Sequence, residues 1–133
     1  MGANTSTTIT SNNPVSTNPN APDIRKLIYS FPKITLEGTN LNLTREISLT
    51  PVTFTGERSY FPLQSTDWEI INEKPLISFD QYTYPYIEVI IPNSMSKTFS
   101  GQMMTLALKY LDSDGTEKYT DVYPGTNLVF QLP

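Results

Sequence analysis

Few side chains in this chain are placed to do chemistry. The densest group is Asp112-Ser113-Asp114-Gly115, with Glu117 and Asp121 close behind. Laid on the spacing of a calcium-binding EF-hand loop, Asp112, Asp114, Gly115 and Asp121 take positions 3, 5, 6 and 12. Position 1 falls on Tyr110, which cannot supply a carboxylate, and the flanks read as strands where that loop needs helices. Asp and Gly also tolerate left-handed backbone, so the stretch is expected to be a hairpin turn and no metal site is assigned.

The rest of the catalytic repertoire is thin. The chain has no histidine and no cysteine, which removes Ser-His-Asp and Cys-His catalysis, thiolate-ligated zinc and disulfides. Asp67, Glu69, Asp80 and Glu88 are carboxylates of the kind a glycosidase pairs, but no apolar residues bracket two of them to raise one pKa. An enzyme would have to work with an acid pair or a Ser-Lys pair and without a Gly-rich phosphate loop. The expectation is therefore no enzyme and no cofactor. The sequons at Asn4 and Asn42 are read as chance matches in an Asn- and Thr-rich chain.

Aromatic side chains give the other candidate. Tyr82, Tyr84 and Tyr86 alternate as if on one face of a strand, with Pro85 pointing to a sheet edge. Such a stripe serves as core and rim packing, as a protein interface, or as a glycan platform with the single Trp68. Packing is the favoured reading, and Trp68 is expected to favour the core over a rim.

These residues need elements to carry them. With 11 prolines, 38% apolar and 17% charged residues, the chain suits short strands and turns better than helices. Alternating segments read as strands at 24–31, 34–37, 40–50, 58–63, 67–71, 76–79, 81–92 and 127–133, with a hairpin over 102–123. In 40–50, Leu41, Leu43, Ile47 and Leu49 share one face, and Pro51 marks a bulge or corner. Ile87, Val89 and Ile91 share another face, as do Met104, Leu106, Leu108 and Tyr110, although the run MMTLALKYL at 103–111 has helix-forming composition too. Eight to ten short strands imply an all-β fold, an antiparallel β-sandwich of immunoglobulin-like or jelly-roll type.

That domain is expected over 23–133. Residues 1–22 differ in kind: none carries a charged side chain, and 16 of the 22 are Thr, Ser, Asn or Pro. They read as an extended N-terminal arm with nothing of its own to bury. Ile9 and Val15 are its plausible anchors on a partner. The N-terminus has neither a basic nor an apolar region of secretory type, and no apolar run reaches 18 residues. Nine basic residues, unclustered at net charge −4, leave no nucleic-acid or membrane-surface footprint.

The expectation is a non-enzymatic structural protein of a large assembly whose arm docks on neighbouring subunits. Absence of cysteine, acidity, β structure and a polar arm together fit a virus or bacteriophage particle. Capsid decoration or cement, a head-fibre base and a tail adaptor are the roles that suit such a subunit. It would be assembled in the host cytoplasm and present as a homo-oligomer or in many copies beside capsid, fibre or tail proteins. The alternative is a carbohydrate-binding or adhesive module using exposed Tyr and Trp.

Overall fold

Side-chain alternation along β-branched and aromatic segments builds two antiparallel sheets, seen in a computed structural model that describes residues 6–53, 58–77, 82–120 and 126–133. The elements in order are β1 (Thr7–Thr10), β2 (Asp23–Ser30), β3 (Lys33–Thr39), β4 (Glu46–Pro51), β5 (Phe61–Pro62), β6 (Trp68–Ile71), β7 (Tyr86–Ile90), α1 (Asn93–Thr98), β8 (Met103–Leu111), β9 (Glu117–Tyr119) and β10 (Phe130–Gln131). The first sheet runs β1-β2-β3-β7-β6; the second runs β10-β8-β4-β5, with β9 also paired to β8. Among the described residues the fold is thus mostly β with little helix, and the chain passes between sheets after β3, β5 and β7.

Register turns the alternation into a core. Across the first sheet, Ile9, Leu27, Leu36, Ile87 and Ile70 line up in one row. Tyr29, Ile34, Val89 and Trp68 form the next. The second sheet contributes Ile47, Leu49, Met104, Leu106 and Leu108, and the residues of both sheets form one buried cluster. Fully burying each of these aliphatic side chains stabilises the fold by about 1.5–3 kcal/mol before chain entropy is counted. Trp68 is half-buried against this cluster, at the β6 edge.

Three sequence expectations change. The run 40–50 is not one strand. Asn40 takes a left-handed conformation (φ 56°), Leu41–Leu43 makes a 3-10 turn, and the strand begins at Glu46. Leu41 enters the core and Leu43 turns outward, because a three-residue turn breaks the two-residue period. The expected strand at 76–79 is not formed in its described part. Leu76 and Ile77 lie in a bend, 106% and 85% exposed, while 78 and 79 lie outside the described residues. The strand expected over 81–92 starts only at Tyr86. In contrast, 103–111 is a strand despite its Met, Leu, Ala and Lys, since pairing to β4 buries one face in the core.

One irregularity matters for everything N-terminal to it. The β2–β3 register runs Ile24 to Gly38 and then Lys26 to Glu37, so Arg25 is an extra residue in a β-bulge. Gly38 opposite is needed there. A Cβ at that position would strike the backbone carbonyl oxygen of Asp23 and lie 3.0 Å from the Arg25 nitrogen. Backbone atoms cannot swing aside as a flexible side chain would. Gly38→Ala should therefore destabilise the protein by about 1–3 kcal/mol, measured by urea denaturation, as overpacking of a rigid site does.

Candidate functional site

The polar N-terminal stretch has no apolar face with which to hold itself, so its position depends on hydrogen bonds. In its described part, 6–22, it lies along the chain's own first sheet. β1 pairs with β2 over four residues, from Thr7–Tyr29 to Thr10–Lys26, and Ser11 N–H continues the ladder to the Arg25 carbonyl (2.8 Å). Ile9, expected as an anchor on a partner, is partly buried against this chain's own core. Val15, the other expected anchor, is 63% exposed.

The bulge aims Arg25 at the connection that follows β1. Its guanidinium donates to the carbonyls of Asn13 (2.6 Å) and Pro14 (3.4 Å) and pairs with Asp23 (3.2 Å). Asp23 in turn accepts Ser16 N–H (2.9 Å). Ser11, Ser16 and Asn18 accept backbone N–H groups two residues on, the local turn chemistry of Ser and Asn. Asn18 also donates to Asp112 (3.2 Å), tying the connection to the β8–β9 turn.

Asn127 completes the clasp from the other sheet's side. Its Nδ2 donates to the Thr10 carbonyl (2.7 Å) and its Oδ1 accepts Asn12 N–H (3.0 Å). The side-chain amide thus satisfies the two peptide groups flanking Ser11, as a residue of a parallel neighbouring strand would. Between this connection and β8–β9 lies a cavity of about 440 Å³. Asn13, Ser16, Asn18, Asp23, Tyr110 and Tyr119 are among the residues that line it.

The Asp112–Gly115 stretch forms the β8–β9 hairpin turn. Asp112 N–H donates to Thr116 O (2.9 Å), Gly115 N–H to Asp112 O (3.0 Å), and Gly115 has φ +83°. Both carboxylates face Lys118, Asp112 at 2.7 Å and Asp114 at 3.2 Å. Asp121 lies outside the described residues, among which no group of three or more acidic side chains gathers as a ligand set. Hydrogen bonds from the Thr116 hydroxyl and then its N–H, followed by Lys118, hold the Asp114 carboxyl down at about 2. Lys118 and the Ser113 N–H lower Asp112 as well.

The three tyrosines meet, but not as a strand face. Only Tyr86 belongs to β7, on the side opposite Ile87, and it is nearly buried. Tyr82 and Tyr84 fold back over it with ring centroids at 4.7 and 5.0 Å. Their segment is held by Glu37, itself buried, which accepts Thr83 N–H (2.6 Å) and pairs with Lys26 (3.5 Å). Tyr82 and Tyr84 are each half-buried, so their rings serve largely to cover the first sheet's outer face. Of the carboxylates, Asp67 caps a turn through Gln64 N–H, Glu88 pairs with Lys33, and Asp80 lies outside the described residues. Arg25, Asn127 and Gly38 escaped the sequence reading. An isolated Arg two residues after Asp23 and an Asn in the irregular segment before β10 carry no periodic signal.

Comparison with protein-family models, with curated proteins and with solved structures returned no match. Function has to be read from this chain's own residues.

Two outcomes are expected. Arg25→Ala should speed amide exchange at Asn13–Asn20 by roughly tenfold or more while β3 and β8 amides are unchanged, since charged hydrogen bonds contribute about 1.5–3 kcal/mol each. In the turn, NMR titration should place the Asp114 midpoint at about 2, with Thr116→Val raising it more than Lys118→Met. A depressed carboxylate stabilises the fold above its ordinary 3.8, and that contribution disappears as pH falls through about 2. The raised Lys118 works in the other direction: its share is complete below 10.5 and is lost as pH rises through the folded-state value above that.

Proposed function

We propose that this chain is a non-enzymatic structural subunit of a large assembly, a virus or bacteriophage particle being the class its chemistry suits best. On this reading the two sheets form a sandwich, and the N-terminal segment contacts neighbouring subunits. The observation that carries the proposal is the placement of residues 7–10: an uncharged strand paired to β2 at the edge of the first sheet, its end fixed by Asn127 and the connection after it held by Arg25 and Asp23. Ordering the stretch 6–22, mostly Ser, Thr and Asn, costs backbone entropy at each residue, on the order of 1–2 kcal/mol, with little apolar burial in return. A segment held this way by dedicated polar contacts presents a defined backbone edge to a partner. Val15, exposed on the same segment, offers an apolar contact beside it.

Lack of histidine and cysteine, together with an acidic net charge of −4, supports a structural role over a catalytic one and tolerates either redox compartment. The test is sedimentation of the native source on a density gradient. The full chain should travel with high-mass particles, and a chain lacking residues 2–22 should stay in the light fractions while retaining its thermal transition. Full-length protein found solely as a 15.0 kDa species would overturn the proposal.

A further inference from the structure

We infer that the outer edge of β1 is a strand-addition site for the β1 of a second copy of this chain, the two strands meeting antiparallel about a two-fold axis at Thr8. The inference deepens the assembly reading by naming the partner and register, and it rests on that reading.

Ladder geometry gives the direction of each backbone group. Ser11 N–H bonds to Arg25, so Ile9 and Thr7, at the same parity, face β2, while the N–H and C=O of Thr8 and Thr10 face away. At one end this outward edge is already used: the Asn127 amide takes the Thr10 carbonyl and the Asn12 N–H. That contact shows the edge receiving a peptide-like group in strand geometry. Among the described residues nothing bonds the outward groups of Thr8 or the Thr10 N–H. The open window is therefore Ser6–Thr10, bounded by Asn127.

Other edges are guarded in ways this one is not. β5 is two residues long and contains Pro62, which has no N–H. β6 places Glu69 opposite Glu88, so a second copy there would bring acids together. β9 carries Glu117 and Lys118, and β10 is two residues long. β1 alone among them is Thr-Thr-Ile-Thr, β-branched throughout and without Lys, Pro or acid to discourage pairing. Charge selects the occupant. Each chain carries −4, and the uncharged segment is where two copies can meet without like charges in contact. A two-fold axis makes such an interface self-complementary, and the two five-stranded sheets would join as one of ten.

The experiment is sedimentation equilibrium of the full chain from micromolar to near-millimolar concentration, alone and as variants. Wild type should dimerise. Thr8→Lys and Thr8→Glu, each exposed and off the β2 ladder, should weaken the dimer about tenfold or more with an unchanged melting temperature, because like charges then sit directly opposite. Mixing the two variants should restore a heterodimer to within about threefold of wild type, since the pair becomes complementary. Thr8→Pro, which removes an outward donor without touching the cis ladder, should behave as Thr8→Lys does. A strictly monomeric wild type, or a dimer that Thr8→Lys leaves intact, overturns the inference. Either result leaves particle incorporation of the full chain, and hence the assembly reading, to stand or fall on its own gradient.

Discussion

The close approach of the Asp23 carbonyl to Gly38 is the constraint on which the N-terminal third of this structure depends. It allows β2 to carry one residue more than β3 at that point, and the surplus residue is Arg25. Once outside the regular ladder, the Arg25 side chain can reach the carbonyls of Asn13 and Pro14 while its own carbonyl accepts Ser11. A bulge is a known way to re-aim a side chain, and here it links backbone sterics in one hairpin to the path of a polar segment.

A second consequence is that hydrogen bonding, not burial, decides where that segment lies. Of residues 6–20, Ile9 reaches the hydrophobic cluster, while Ala21 and Pro22 are buried at the point of entry to β2. The intervening Ser and Asn side chains satisfy neighbouring N–H groups, and Asn127 stands in for a strand that is not there. Such a segment gains its order from directional contacts, so its outward edge keeps a fixed geometry without an apolar surface. On the assembly proposed above, that combination would serve reversible, register-specific contact between subunits better than permanent burial.

Polar groups are less evenly served deeper in the molecule. Ser48 and Thr50 share one side of β4 and Thr44 lies at the end of the 3-10 turn before it, and among the described residues their buried hydroxyls have no hydrogen-bond partner. Leaving a buried hydroxyl unpaired costs about 1–3 kcal/mol, so this group is a local weakness in an otherwise close-packed pair of sheets. Glu37 shows the opposite case, a buried acid served by both Lys26 and the Thr83 N–H, and it fixes the tyrosine segment over the outer face.

By itself the sequence determined the class of structure: two-residue periodicity at Ile47–Leu49, Ile87–Ile91 and Met104–Tyr110 marks strands that survive in place, because a buried face enforces the alternation. The turn at Asp112–Gly115 was legible for a similarly local reason, since Asp and Gly chemistry selects it. Tertiary structure alone decided the rest. Leu43 left the core because Asn40 starts a turn, and Tyr82 and Tyr84 came to lie over Tyr86 because Glu37 holds their segment. The N-terminal stretch looked free because nothing within it can bury itself. Its position comes from Arg25 and Asn127, over 100 residues apart in sequence, and contacts between such distant residues leave no period for a sequence to display.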